Sequence, residues 1–328
     1  MAFVSPPDDF AAHSLTEFAE LQLLLSGDEF LSSTELRNSF TAGRQPTEEE
    51  ISFMLAEVEN RARRAGRHYP FSVFEGGLHI DREAASDLYF FLLLMSLRNA
   101  PARDGDGLDR SDPLFDAIAR EAFRESLGDG ASSLIFAWPP RDGRPSVFSD
   151  AVAWAATRIG VELRGGVIED HPRDAGVDVI AWRDFPDGRT GFPILLAQNT
   201  VQFQFVKKPR DVQPSRWRDW LRIGVAPGIG FAVPFAIPDG DIWWDDVCTD
   251  VTLVLDRVRL IYAVRDLDPP NWPEWDRIRE FVTREISEII EGQPSESSQP
   301  TIVRPRRTTR FSAVQSEGSE AAGQLTRE

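Results

Sequence analysis

Apolar residues recur at helical spacing through the first hundred positions. Residues 15–25 carry that period after Ser14, a residue type that caps helices. Ser32-Ser33-Thr34-Glu35 has the spacing of a capping box and opens a short second helix. Thr47-Glu48-Glu49-Glu50 opens a third. Its acids suit the positive end of a helix dipole, and Ile51, Met54, Leu55 and Val58 form its apolar face. Residues 69–73 read as a short extended segment, and 81–97 as a strongly apolar buried helix. Two arrangements satisfy this pattern: a winged-helix-like module, or a helical cap packed on the rest of the chain. Residues 101–112 hold two Asp-Gly turn signals and few apolar positions, which predicts a linker.

From residue 113 the pattern turns to alternating helix and strand. Residues 114–127 and 149–159 are amphipathic helices, and 177–182 is a strand. A hairpin-like connection over 184–191 turns at Asp187-Gly188 and leads to a strand over 192–197. A helix is expected over 217–223, strands over 230–237 and 251–264, and a closing helix over 271–291. Residues 292–328 are rich in Ser, Gln, Pro and Arg, which predicts a disordered tail with a small basic cluster at Arg304, Arg306, Arg307 and Arg310. The expected fold class is α+β or α/β. A helical N-terminal domain (1–100) precedes a linker (101–112) and a mixed sheet flanked by helices (113–291).

Charge narrows the function classes. The 328 residues hold 53 acidic and 36 basic side chains, a net charge of −17, which argues against a general nucleic-acid coat. It leaves room for a local basic groove. Residues 203–224 supply one: Lys207, Lys208, Arg210, Arg216, Arg218 and Arg222 stand against Asp211 and Asp219, with Trp217 and Trp220 interleaved. Basic residues mixed with aromatics suit a nucleic-acid backbone with stacked bases; the other reading makes the tryptophans core residues under snorkelling arginines. One cysteine excludes an intrachain disulfide framework and a cysteine zinc cluster, and fits a reducing cytoplasm. The longest apolar run, 88–95, is about half of what a bilayer span needs. No membrane association is expected.

Two polar residues interrupt apolar strands. Asp178 lies between Val177 and Val179, and Gln198 ends the run 192–197. Polar groups so placed must be paired or stand at the open end of a sheet. Their matching positions on consecutive strands predict side chains close enough to share one hard divalent cation such as Mg²⁺. The alternatives are a strand-end carboxylate bonded to turn amides and an amide crosslinking two strands. His171, beside Pro172, is a possible edge base or a plain loop histidine. Gly224, Gly228 and Gly230 lack the Lys-Ser/Thr end of a P-loop.

In the Asp178 strand, the hairpin and the strand ending at Gln198, the chain resembles the restriction-endonuclease-like superfamily of PD-(D/E)xK nucleases, in its Mrr-type branch. That resemblance implies a nuclease fold with Asp178 as metal ligand and Gln198 in place of the usual Glu. The usual Lys falls on Thr200, which leaves Lys208 (with Lys207 beside it) to reach back from the following segment. The superfamily also places an acid on the first helix of its core. Glu121 is the first choice here and Asp116 the second. The segments 69–71, 89–94 and 185–189 further resemble a family of bacterial proteins linked to phage defence.

The resemblance implies a metal-dependent nuclease in an anti-phage system, cytoplasmic, acting on DNA more than RNA and working with a protein partner. Asp178, Gln198, Lys208 and Glu121 would be catalytic. Asp178 and Glu121 would hold Mg²⁺, and Lys207, Lys208, Arg210, Arg216 and Arg218 would bind nucleic acid. The alternative is a nuclease-fold subunit without catalysis, serving as a binding or assembly module. A third reading makes the N-terminal region a DNA-binding regulator.

Overall fold

A computed structural model describes residues 11–40, 44–82, 87–96, 112–165, 168, 174–202, 205–238, 242–267 and 272–291. The expected linker (except Asp112), the tail with its arginine cluster, and His171 lie outside the described residues.

The N-terminal part runs α1 (Ala12–Ser26), β1 (Phe30–Leu31), α2 (Ser33–Asn38), α3 (Glu48–Ala65), β2 (Phe71–Phe74) and β3 (Gly77–Ile80). Both expected capping boxes form, Ser32 with Glu35 and Thr47 with Glu50. The first helix starts earlier than Ser14 suggests, with Ala11 at its cap and no side-chain bond there. The extended segment at 69–73 is one strand of a three-stranded antiparallel sheet in the order β1–β3–β2. Helix, strand, helix, helix, strand, strand is the connectivity of a winged-helix-like module. It also packs on the rest of the chain, so features of both arrangements are present. The next helix, α4 (Asp87–Met95), is buried along eight consecutive residues.

The second part carries a five-stranded sheet in the order β4 (Ser132–Ile135), β5 (Val179–Trp182), β6 (Ile194–Asn199), β7 (Gly228–Ala232), β8 (Leu253–Leu255). The first three strands are antiparallel, and β6–β7–β8 are parallel. Helices α5 (Asp112–Ser126) and α6 (Phe148–Ile159) flank it, followed by α7 (Pro214–Trp220), α8 (Ile242–Asp250), α9 (Arg257–Ala263) and α10 (Trp275–Glu291). The chain is thus a mixed α+β protein. The segment 251–264 is not one strand: Asp256 accepts the Arg259 N–H as an N-cap and divides it into β8 and α9.

Strand alternation sorts the sheet's side chains onto two faces. Val179, Ala181, Leu195 and Ala197 join one core with Ile118, Ala122 and Phe123 of α5. Gly230 makes the close approach of α5 possible, since a Cβ there would lie 2.7 Å from the Phe123 ring. The same core runs on through α1, α3, α4 and α10, so residues on both sides of the expected domain boundary share one apolar interior. On the other face, Ile180, Leu196 and Trp182 pack with Phe148 and Val152 of α6 and with Trp217 and Trp220. No helix among the described residues is long and apolar enough to cross a membrane.

Candidate functional site

An open cleft of about 760 Å³ lies at the end of the sheet where β5 begins and β6 stops. Asp116, Asp178, Gln198, Asn199 and Lys208 all line it. Gly176 holds the cleft's wall together. Its φ of +75° is left-handed, and a Cβ there would lie 2.9 Å from Asp211, so only glycine lets the Lys208–Asp211 turn approach β5 this closely.

The backbone is irregular at Asp178. Val179 pairs with Ala197, yet the Asp178 N–H also bonds the Ala197 carbonyl at 2.8 Å. The Asp178 carbonyl in turn accepts from both Phe136 and Ala137. This is a bulge, one extra residue opposite a single partner. Its effect on the faces is direct: Val177 joins the α6 core while Val179 joins the α5 core, so the alternation slips at Asp178. The Asp178 side chain is thereby placed with α5. Its Oδ2 accepts the Asn199 N–H at 2.8 Å. Asn199 Nδ2 donates to Asp116 Oδ1 at 2.9 Å, and Arg141 donates to Asp116 Oδ2 at 2.7 Å.

The expected shared site of Asp178 and Gln198 does not form, so the site that the resemblance implies is not the one present; Asp178 groups instead with Asn199 and Asp116. Gln198 follows Leu196 to the opposite face of β6, although it borders the same cleft. A bulge depends on three strands meeting and has no mark in the sequence of β5. The choice between the two acids of the first core helix also reverses. Five residues along a helix turn a side chain by about 140°. Asp116 enters the cleft, while Glu121 is bonded by Arg120 and Arg124 at 3.0 and 2.8 Å and does not line it.

Burial weighs on the charged form of both carboxylates. Burial raises the Asp116 pKa to about 6, against the pull of Arg141 and the Asn199 bond. Asp178 is driven well above the usual carboxylate range, first by burial and then by the charge of Asp116; the Asn199 N–H opposes this. Two buried acceptors have no protein partner, Asn199 Oδ1 and Gln198 Oε1. On the α5 side of the sheet the Asn199 amide oxygen and the carboxylates of Asp116 and Asp178 are oxygen donors of the kind a hard cation such as Mg²⁺ takes; Gln198 Oε1, on the opposite face, is not among them. No three His, Cys, Asp or Glu side chains converge as a ready ligand group among the described residues, so such an ion would lean on the Asn199 amide and on water as well as on Asp116 and Asp178.

The basic segment divides. Lys208 and Arg210 line the cleft, with Arg210 bonded to Asp250 at 2.8 Å and Lys208 3.9 Å from Asp211. Lys207, Arg216 and Arg218 are exposed but do not border it. Trp217 and Trp220 are core residues, packed edge-on against Phe136 and Phe148 at 5.2 and 5.3 Å, so they offer no stacking surface. Thr200, where the resemblance expects Lys, is buried and bonds the Ala232 carbonyl through its N–H. Sequence reading passed over Asn199, Arg141 and Trp138. Asn199 alone had a signal, since it shares strand parity with the α5-facing Leu195 and Ala197. In comparisons with known proteins, no family model, no curated protein and no solved structure matches this chain.

Proposed function

We propose that the cleft hydrolyses phosphodiester bonds of nucleic acid with the help of a divalent cation. The observation that carries this reading is the meeting of Asp116 and Asp178 around Asn199, in a cleft that Lys208 also lines. Opposed carboxylates with too few cations around them favour a positive ligand. The order of elements also supports it: an acid on a helix, then strands of which one carries Asp178 and the next ends in polar residues.

In this reading Asp116, Asp178 and the Asn199 amide oxygen hold the ion. The chemistry a bound Mg²⁺ supplies is neutralisation of phosphate charge and activation of water. Lys208 stabilises the charge that builds on the phosphoryl oxygens. Gln198, on the opposite face of β6, takes no part in holding the ion. The oxygen of water gives up one proton to solvent and forms a new bond to phosphorus, one ester P–O bond breaks, and the leaving alkoxide takes a proton from solvent. Glu121 and Lys207 have no part in it. The setting implied by the sequence resemblance is bacterial anti-phage defence.

One observation favours the second reading, a binding module without catalysis. Arg141 and Asn199 already occupy both oxygens of Asp116, and Thr200 supplies no charge. For the DNA-binding regulator, the N-terminal turn of α3 is built of Glu48, Glu49 and Glu50, which repel a phosphate backbone.

The test is cleavage of labelled single- and double-stranded oligonucleotides with Mg²⁺ or Mn²⁺. Asp178→Ala is expected to abolish cleavage. Lys208→Ala is expected to slow it by about 10²–10³-fold, the typical cost of one preorganised charge contact. Asn199→Ala is expected to lose more than Gln198→Ala. Substrate binding without cleavage in the wild type, unchanged by Asp178→Ala, would favour the module.

A further inference from the structure

The segment from Ala137 to Arg141 that follows β4 also lines the cleft. Trp138 is 40% exposed there. Its position is fixed from two sides. Its backbone N–H bonds Asp174 Oδ2 at 3.2 Å. The Arg144 guanidinium lies 5.9 Å from the Trp138 ring centre and 4.4 Å over Phe136, so it wedges the indole against the core. Three residues on, Arg141 donates from Nη2 to Asp116, while its second terminal nitrogen, Nη1, is buried with no partner among the described residues.

An open indole plane held beside a half-used guanidinium matches one nucleotide: a base on the ring and its phosphate on the arginine. A base inside a duplex has both faces covered by its neighbours and cannot use such a plane, whereas an unpaired base can. From this geometry we infer that the cleft takes a single strand, with Trp138 stacking an unpaired base and Arg141 bonding the adjoining phosphate. Lys208 and Arg210, which line the same cleft, then track the backbone of that strand. The inference rests on the hydrolytic reading of the cleft only for its location. The stacking and phosphate contacts stand without any cleavage.

The experiment measures fluorescence anisotropy of fluorescein-labelled (dT)12, (U)12 and a 12-base-pair duplex with the full chain in Ca²⁺. Trp138→Ala, Trp138→Phe, Arg141→Gln and Asp178→Asn are compared with wild type. Wild type is expected to bind both single strands more tightly than the duplex. Trp138→Ala is expected to weaken single-strand binding about 5- to 150-fold, the cost of one lost stack. Trp138→Phe should recover most of it, since a ring remains. Arg141→Gln should weaken binding and also reduce its salt dependence. Tighter binding of the duplex, no binding of either single strand by wild type, or Trp138→Ala binding like wild type would overturn the inference. Cleavage separates the two claims. Wild-type cleavage that Trp138→Ala leaves unchanged sinks the stacking contact and spares the hydrolytic reading. Trp138-dependent binding without cleavage by wild type does the opposite.

Discussion

Glu17 and Glu20 lie in the core beside Arg61 and Arg257, whereas Asp116 and Asp178 lie in the cleft beside Arg141. In the core every charge is answered. Arg257 grips both oxygens of Glu17 at 3.0 and 2.9 Å, and Arg61 bonds Glu17 at 2.6 Å and Glu20 at 3.0 Å. Tyr69 and Tyr89 donate to the two oxygens of Glu20 at 2.6 and 2.7 Å. In the cleft burial raises the pKa of both acids, the charge of Asp116 raises that of Asp178 further, and two amide oxygens stay without a partner among the described residues. A buried group whose hydrogen bonds close on themselves serves the fold. One whose acceptors stay open and whose like charges face each other stores a demand for a ligand. The first cluster ties α1 and α3 to the start of α9, across the expected domain boundary. The second spans α5, β5 and β6 and faces solvent.

The largest effect should come from the closed cluster. Glu17→Gln leaves Arg257 and Arg61 short of a counter-charge, and breaking a buried pair in this way costs about 3–5 kcal/mol. A Tm drop on the order of 10 °C by calorimetry is expected. A drop under two degrees would mean the cluster is not what joins the two parts.

The same cluster sets an acid limit. Burial alone would raise the Glu17 pKa, but Arg257 and Arg61 hold it well below the usual carboxylate range. A depressed folded-state pKa gives stability that is present above the unfolded value, roughly 4.3, and is lost as pH falls below it. The Tm gap between wild type and Glu17→Gln should therefore be full at pH 7 and shrink progressively below about pH 4. A gap that stays constant into acid would contradict the assignment.

The cleft should respond in the opposite sense and more weakly. Asp178→Asn removes one of two opposed charges and keeps an oxygen for the Asn199 N–H. Metal-free protein should gain about 1 kcal/mol, a few degrees in Tm, as strained functional sites do when neutralised. A loss of stability would show that Asp178 is a fold carboxylate like Glu17.

Local signals in the chain carried much of this architecture. Two capping boxes and the Asp187-Gly188 turn act within a few residues and formed, and the closing helix expected over 271–291 runs Trp275–Glu291. The Gly188 N–H bonds the Phe185 carbonyl, which closes that turn. Strand β4 went unseen because four residues hold too little alternation, and β8 and α9 merged because both are apolar. Asp178 was legible as a polar residue among valines. Its partner was not, because the bulge that turns it toward α5 arises only when β4, β5 and β6 meet. Asp116 and Glu121 likewise differ only in which side of α5 meets the sheet end. The tryptophans of the basic segment are equally compatible with stacking and with burial until α6 is in place against them.

The central claim is that the opposed acids of the cleft await a divalent cation. The most direct measurement is Tm by calorimetry with and without Mn²⁺, for wild type and Asp178→Asn side by side. A ligand at 100 times its Kd adds about 2.7 kcal/mol, so wild type should melt several degrees higher with saturating Mn²⁺ while Asp178→Asn stays where it was. No Mn²⁺-dependent rise in wild type, or the same rise in Asp178→Asn, would contradict the account.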